Sequence, residues 1–486
     1  MLDSLSPLSL PSPFEAVADR AAATTLAWQP RIRRRLFREA AHNLALAEAL
    51  DGLGAGPALE RRLLDADLAP ADPSALWSAL MRAADPTGGP GAAVARRRAA
   101  LRLAQETRAI FGPVPPGFRG ARIVATLGAE SAADPAAIAE LLRSGVGCVR
   151  INTAREDREG WLALAQAVRR ASRLAGRACR LLVDLPGPKL RLTEAGGERV
   201  GPGAHFVLLG LDGAAPAGWA GPCARIGIPL PRLAPGAEVA LDDGKLVAMV
   251  ERGEAGGAVL RALRAAPRKG LRLRPGRGVH LPEAVVPDLP EPRDALAFAA
   301  AEADLVGLSF LRGPDDVAKA REALGAQGRR RVRQGLVLKI ETRAALAHLP
   351  AILVEAAGVQ PTAVMVARGD LMVATGPAAL PAAQARILHF AATAHLPAIC
   401  ATGLLETLVK TGLASRAELL DAAAALRGAS ALMLNRGPYQ AEAARLLRDV
   451  ARAGYCTANF TTERAAISHT APCTSAARPA TVLTSA

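Results

Sequence analysis

The amino-acid sequence predicts an α/β protein: a (β/α)8 TIM barrel with a small β domain inserted after its third strand and an α-helical extension before its first. Three observations support this prediction. Eight short apolar runs are each followed by a stretch of helix length. A Gly/Pro-rich interruption separates the third run from the fourth, and an Ala/Leu/Arg-rich region with helical spacing precedes the first.

The barrel prediction depends on the eight apolar runs. They are Ala121 to Leu127, Gly147 to Ile151, Arg180 to Leu185, Asp304 to Phe310, Gly335 to Ile340, Thr362 to Val366, Pro397 to Ala401 and Ala429 to Leu434. Neighbouring parallel strands need a crossover connection, usually a helix, so eight strand–helix units in a row favour a closed parallel barrel. We assign residues 118–191 and 281–460 to this catalytic barrel.

The interruption after the third run is too long for one helix. Residues 192–280 contain the candidate strands Phe206 to Leu209, Glu238 to Leu241 and Leu246 to Val250, separated by turn signals. This pattern predicts an inserted β-barrel domain. Because the loops after barrel strands emerge at the catalytic end, we expect the inserted domain to act as a lid.

The two ends of the chain differ from its middle. Residues 1–117 show helical apolar spacing broken by Pro/Gly turns, and we interpret them as a helical extension whose role the sequence does not reveal. Residues 465–486 are rich in Ser, Thr, Ala and Pro without periodicity, which is typical of a disordered tail.

Composition narrows the classes of function. The net charge is +15, but the basic residues are scattered and aromatic residues make up 3% of the chain, so a nucleic-acid partner is not favoured. Lysine supplies 6 of the 60 basic residues, so each lysine merits attention. No run reaches the ~18 apolar residues of a membrane span. The N-terminus has no secretory pattern and the six cysteines have no metal or disulfide spacing, so we expect a cytoplasmic protein without membrane contact.

Five predicted strand ends carry ionisable or hydroxyl groups, and active sites of such barrels form there. Glu341 and Asp370 lie at consecutive strand ends and offer two carboxylates for Mg²⁺ or Mn²⁺. Lys339 precedes Glu341 by two residues, so both side chains point to one face of a strand. An ammonium there can stabilise charge on an enolate or a phosphoryl group. The alternative is an ordinary ion pair at a strand end.

These strand ends lie in segments that resemble the pyruvate kinase family. The segments are ARIVATLG (121–128), CVRINTA (148–154), LVDLPGPKLR (182–191), GRGVHLP (276–282), LVGLSF (305–310), LKIET (338–342), VMVARGDL (364–371) and PAICATGLLETL (397–408). The resemblance covers residues 118–437 in order. The helical extension has no counterpart in the common family layout, and we expect the family's usual C-terminal domain to be missing.

The resemblance implies a glycolytic phosphotransferase that converts phosphoenolpyruvate and ADP to pyruvate and ATP. It implies that Glu341 and Asp370 hold the divalent metal and that Lys339 stabilises the enolate. Arg150 would contact the transferring phosphate, and Thr402 would lie at the face where the enolate is protonated. The implied substrate-binding residues are Ala367, Arg368, Gly369, Asp370, Ser309 and Thr402.

The resemblance also implies a nucleotide site and a monovalent-cation site. The implied nucleotide-binding residues are Asn152, Arg155, Arg191 and Arg277. Of the cation site, Asn152 and Asp184 remain, whereas Lys189 stands where potassium-dependent members have a glutamate. Family members with this lysine are generally potassium-independent, so we expect no requirement for K⁺, the ammonium supplying the charge instead.

Two departures from the family pattern affect the nucleotide side. Arg155 replaces the family's histidine, and LNRGPYQAE (434–442) replaces its LSGETAKG segment. Two alternatives therefore stay open: a catalytically impaired pyruvate kinase-like binding or regulatory protein, and a metal-dependent aldolase of the phosphoenolpyruvate/pyruvate barrels. The KxE lysine and the ARGD run oppose the aldolase. The sequence does not determine allosteric effectors or whether the protein forms a homo-oligomer.

Overall fold

The computed structural model describes residues 90–113, 121–187, 189–266, 269–281, 292–326, 334–357 and 360–458. Predictions for residues 1–89 and for the tail at 465–486 lie outside this part of the chain. Among the described residues, no helix has both the length and the apolar character needed to cross a bilayer.

Seventeen strands follow one another along the described chain. They are β1 (Arg122–Thr126), β2 (Val146–Asn152), β3 (Arg180–Asp184), β4 (Leu190–Ala195), β5 (Arg199–Val200), β6 (His205–Leu209), β7 (Cys223–Ile226), β8 (Glu238–Leu241), β9 (Leu246–Glu254), β10 (Gly257–Ala265), β11 (Leu271–Arg272), β12 (Gly278–His280), β13 (Leu305–Leu308), β14 (Gly335–Ile340), β15 (Thr362–Ala367), β16 (Ala398–Ala401) and β17 (Ala431–Leu434).

Twelve α-helices connect and flank these strands in the described residues. They are α1 (Pro90–Phe111), α2 (Pro135–Arg143), α3 (Arg158–Ala175), α4 (Arg293–Glu302), α5 (Pro314–Ala326), α6 (Arg343–Ala347), α7 (Leu349–Ala357), α8 (Arg368–Thr375), α9 (Leu380–Thr393), α10 (Glu406–Thr411), α11 (Arg416–Gly428) and α12 (Gln440–Ala458). Local sequence fixes several helix starts. For example, the Asp157 carboxylate accepts a hydrogen bond from the Gly160 N–H (2.9 Å) at the start of α3.

Eight of the strands close into a parallel barrel in the order β1, β2, β3, β13, β14, β15, β16 and β17. The predicted (β/α)8 barrel is thus confirmed, and each predicted apolar run overlaps one of its strands. Both faces of these strands are buried because helices cover the outside and side chains fill the inside, which explains why the runs are continuously apolar rather than alternating.

Inside the barrel, the side chains are apolar near the amino ends of the strands and charged near their carboxyl ends. Alternation along a strand places Cys148 and Arg150 on the inner face of β2, and Val337 and Lys339 on the inner face of β14. Cys148 and Val337 belong to the interior apolar cluster, together with Leu182. The charged members therefore collect at the carboxyl end of the strands, where such barrels form their sites.

Helix α1 closes the opposite end of the barrel. Ile110 and Phe111, at its C-terminus, are buried and belong to the same interior cluster as Val337 and Met365. Ile110 packs against the start of β14, where a Cβ added to Gly335 would lie 2.9 Å from its Cδ1 atom. We call these two residues, Ile110 and Phe111, the plug.

The segment between β3 and β13 forms a second closed barrel, in the order β10, β6, β7, β4, β12, β8 and β9. Phe206, Leu208, Val250 and Leu260 are fully buried in its own hydrophobic core. Strands β5 and β11 make a separate two-stranded sheet. The chain leaves the main barrel after the carboxyl end of β3, so the β8–β9 turn and β12 can reach the charged end of the barrel.

Candidate active site

Lys339 lies at the centre of the charged end of the barrel. Its Nζ donates to Oγ of Ser309 (2.8 Å) and Oδ2 of Asp184 (3.3 Å), and it lies 3.4 Å from Oε1 of Glu341. The residue is 8% exposed. Burial by itself lowers the pKa of the ammonium, but the carboxylates of Asp184 and Glu341 outweigh burial and hold the pKa above its ordinary value. Lys339 is therefore charged throughout the neutral range.

Arg150 shares Asp184 with Lys339. Its Nε donates to Oδ2 of Asp184 (2.9 Å), its Nη2 donates to the same oxygen, and its Nη1 lies 3.4 Å from Oγ1 of Thr126. Burial would raise the pKa of Asp184, but the charges of Arg150 and Lys339 lower it overall. Position 307 must be glycine because a Cβ there would collide with the Asp184 carboxylate. The carboxylate thus holds both cations in place.

Glu341 has one oxygen bound and one without a partner. Its Oε1 accepts a hydrogen bond from the Phe310 N–H (2.8 Å), while Oε2 is buried and has no hydrogen-bond partner. Burial raises the pKa of Glu341 to about 7; Lys339 opposes the rise, and the charge of Asp370 adds to it. A buried carboxylate oxygen without a donor, near a second carboxylate, fits a divalent cation that prefers oxygen ligands.

Asp370, the other predicted metal ligand, lies in the first turn of α8. Its Oδ1 accepts a hydrogen bond from Lys189 Nζ (2.6 Å) and lies 3.3 Å from Nε2 of His280 on β12. Lys189 also donates to Oδ1 of Asp243 (2.6 Å) in the β8–β9 turn. Ligand atoms of Asp243, His280 and Asp370 lie within 4.8 Å of one another, but the Lys189 ammonium already donates a hydrogen bond to each of the two carboxylates. The inserted domain thus contacts the site directly.

Lys189 and Asp184, which the resemblance places in one monovalent-cation site, have different partners in the structure. Lys189 bonds to Asp370 and Asp243, whereas Asp184 bonds to Arg150 and Lys339. The third member, Asn152, accepts a hydrogen bond from the Ala154 N–H (3.1 Å). The carboxylates of Asp370 and Asp243 outweigh burial and raise the pKa of Lys189. The ammonium is therefore fixed beside a predicted metal ligand.

The start of α8 forms one wall of the site. Arg368 holds it there: Nη1 binds both oxygens of Asp421 (2.8 and 3.0 Å), and Nη2 donates to the Thr402 carbonyl (2.8 Å). A Cβ at Gly369 would lie 2.9 Å from Cγ2 of Thr402, so the helix and β16 pack closely at this position. The first N–H groups of a helix have no intrahelical acceptors and can bind a carboxylate. Ala367 precedes this turn as the N-cap.

The predicted nucleotide-binding arginines lie around the edge of the site. Arg191 Nη1 donates to the Gly276 carbonyl (3.1 Å), and Arg277 pairs with Asp242 in the β8–β9 turn. Arg155 is exposed in the loop after β2. Sequence reasoning did not identify His280, although it lies in the segment GRGVHLP that carried part of the resemblance.

The fold defines a (β/α)8 barrel with an inserted β-barrel domain and charged side chains at the carboxyl ends of its strands, and the sequence matches one known family. The family described as pyruvate kinase, barrel domain, matches residues 118–444. This chain belongs to the pyruvate kinase family.

Individual relatives agree with this assignment. A pyruvate kinase of Methylorubrum extorquens is 35% identical over 327 residues, which are 65% of this chain and 64% of the relative. Pyruvate kinases of Mycobacterium tuberculosis and Corynebacterium glutamicum are 32% and 31% identical, over 65% of each chain. The chain thus spans about 65% of the length of these relatives.

Proposed function

We propose that the chain transfers the phosphoryl group of phosphoenolpyruvate to ADP and forms pyruvate and ATP. One observation carries the proposal: the buried Lys339 ammonium and the partly buried Arg150 guanidinium converge on Asp184, beside a Glu341 oxygen that has no partner. Fixed positive charge suits a substrate that carries a phosphate and becomes an enolate when the phosphate leaves.

The proposed metal site consists of Glu341 and Asp370. Both are hard oxygen donors, and the partnerless Oε2 of Glu341 fits a divalent cation, Mg²⁺ or Mn²⁺. When bound, the metal would neutralise charge on the phosphoryl oxygens. Metal binding requires the Glu341 carboxylate to be deprotonated, and its pKa of about 7 leaves that form accessible at neutral pH.

The protein groups have separate proposed roles in the transfer. The first-turn N–H groups of α8, at Arg368 to Asp370, bind the substrate carboxylate, and Arg150 orients the transferring phosphate. An oxygen of the terminal ADP phosphate forms the new bond to phosphorus as the bond from phosphorus to the enol oxygen breaks. The Lys339 ammonium stabilises the negative charge left on that oxygen. A proton reaching the methylene carbon through Thr402 and water completes pyruvate.

The proposal includes independence from K⁺. The Lys189 ammonium places a permanent positive charge beside Asp370, as a bound monovalent cation would. We further propose a cytoplasmic protein whose partners are the small-molecule substrates, with self-association to be settled by measurement of mass in solution.

A lactate-dehydrogenase-coupled assay tests the proposal. Purified protein with phosphoenolpyruvate, ADP and Mg²⁺ should consume NADH at a similar rate in K⁺- and Na⁺-free buffer and after addition of KCl. A many-fold rise on adding KCl would refute the independence from K⁺. Binding of both substrates without NADH consumption would instead identify a binding or regulatory protein.

A further inference from the structure

At the edge of the site next to β1, β2 and β17, arginines outnumber the carboxylates that could pair with them. Arg155 follows β2, Arg436 follows β17, and Arg191 lies at the start of β4. Within the described part of the chain, the Arg155 guanidinium has no hydrogen-bond or ion-pair partner. Arg191 donates to a backbone carbonyl, and Arg436 Nη1 lies 3.9 Å from Oε1 of Glu156. Glu156 is thus the one carboxylate at ion-pair distance from this group in the described structure.

The loop that carries Arg436 is held against the barrel. Nε2 of Gln440 donates to the Asn435 carbonyl (2.7 Å) and to the Thr126 carbonyl (2.8 Å). Thr126 pairs in register with Arg150 on β2, and its hydroxyl lies 3.4 Å from Arg150 Nη1. The backbone beside Arg436 is therefore anchored next to the residue proposed to orient the transferring phosphate.

The other side of Arg436 is fixed by close packing. A Cβ at Gly437 would collide with the Val409 carbonyl, so the backbone there cannot move towards α10. The Arg436 side chain stays 46% exposed, while the Glu156 side chain beside it is 11% exposed. Glu156 lies at ion-pair distance from the guanidinium, and nearly half of the Arg436 side chain stays accessible to a ligand.

The cations in this group repel one another. Partial loss of hydration lowers the pKa of Arg155, and the charges of Arg436, Arg150 and Arg191 lower it further, against a smaller opposing effect of Glu156. Arg150 is neutralised by Asp184, but the other three are not fully compensated. A cluster of like charges lacking counter-charges becomes favourable when an anion binds between them.

We infer that Arg436 and Arg155 form a guanidinium pair that binds the diphosphate chain of the nucleotide substrate. This inference rests on the proposed function. Two planar guanidinium groups present several N–H donors to phosphate oxygens and match their geometry better than ammonium groups do. Arg150 and Lys339 are committed to Asp184 and to the phosphate of phosphoenolpyruvate. The pair therefore supplies the separate positive charge that the second substrate needs.

Equilibrium binding of ADP tests the inference without requiring turnover. Calorimetry with Mg²⁺ present should show that Arg436→Ala and Arg155→Ala each raise the Kd of ADP roughly tenfold or more, since each removes charged hydrogen bonds. Arg436→Lys should recover part of the affinity. Arg445→Ala is the matched control, because Arg445 is similarly exposed but pairs with Glu140 and Glu442 on the outer helices; its Kd should stay near that of wild type.

The nucleotide base and the first substrate provide two further readouts. Loss of affinity should be the same for GDP as for ADP, because the pair reads phosphates; a loss confined to ADP would overturn the inference in favour of stacking on adenine. The affinity for phosphoenolpyruvate should not change. Unaltered ADP binding in both alanine variants, or no ADP binding by wild type, also overturns it. Weakened ADP binding in a protein without turnover would sustain the inference while refuting the proposed function.

Discussion

Lys189 Nζ lies 2.6 Å from Oδ1 of Asp370 and thereby connects the loop after β3 to the first turn of α8. The same ammonium binds Asp243 at 2.6 Å, so it also joins the main barrel to the inserted domain. The stem of Lys189 passes next to Gly278 on β12, where a Cβ would lie 2.7 Å from its Cε atom. One side chain therefore links the charge of the proposed metal site to the position of the inserted domain.

Replacing Lys189 with alanine should make activity depend on an added cation. Without the ammonium, Asp370 and Asp243 face each other without a neutralising charge, and a monovalent ion can enter the space. We expect turnover in K⁺-free buffer to fall by at least about tenfold and to recover partly with KCl. Lys245→Ala is the matched control, because Lys245 is exposed and pairs with Asp242 of the same turn. Equal rates for wild type and Lys189→Ala without K⁺ would contradict this role.

Replacing Lys339 with methionine should abolish turnover and weaken the fold. The substitution keeps the length of the side chain but leaves Glu341 without its neighbouring cation, and breaking a buried charge pair costs about 3–5 kcal/mol. Protonation of Glu341 will reduce that cost, so the free energy of unfolding from urea denaturation should drop by about 2–3 kcal/mol at pH 7. Near wild-type turnover would exclude Lys339 from enolate stabilisation.

Divalent-metal affinity should depend on pH because of Glu341. Its pKa of about 7 lies above the ordinary 4.5, so the metal-free protein holds a proton there that binding must release. Affinity should therefore be about tenfold weaker at pH 6 than at pH 8, with about half a proton released at pH 7. Mn²⁺ calorimetry in two buffers of different ionisation enthalpy measures both quantities. Affinity that is constant from pH 6 to pH 8 would show that Glu341 is not the titrating ligand.

The plug should contribute to stability without contributing to catalysis. Ile110→Ala and Phe111→Ala remove buried side chains from the barrel interior and should each cost about 2–5 kcal/mol in the free energy of unfolding. The Michaelis constants should not change, because the plug lies at the end opposite to the site. Leu101→Ala, on the same helix but 56% exposed, serves as the control and should be nearly neutral. Equal stability of all three variants would mean that α1 is not part of the barrel's core.

Much of the site followed from the spacing of residues along the strands. The interval of two between Lys339 and Glu341 places both on the inner face of the strand end, and the structure puts Nζ 3.4 Å from Oε1. The alternative of an ordinary ion pair is incomplete, since the second Glu341 oxygen has no partner. Local periodicity determines which way a side chain points, so this part was accessible from sequence.

Contacts made by the inserted domain were not accessible in this way. Lys189 bonds to residues 54 and 181 positions away, and which carboxylates it meets depends on how two domains close on each other. His280 reaches Asp370 through the same closure. Strand periodicity carries no information about the angle between domains. The resemblance therefore located Lys189 in the site but did not identify Asp370 as its partner.

The plug affects where the folded unit that contains the barrel begins along the chain. The region held in common with pyruvate kinases starts at residue 118, yet the interior is sealed by residues 110 and 111. Common ancestry and cooperative folding thus mark out different stretches of the polypeptide. A fragment that began at residue 118 would expose the apolar interior of the barrel to water, so similarity to relatives is a poor guide to the smallest piece of this chain that can fold.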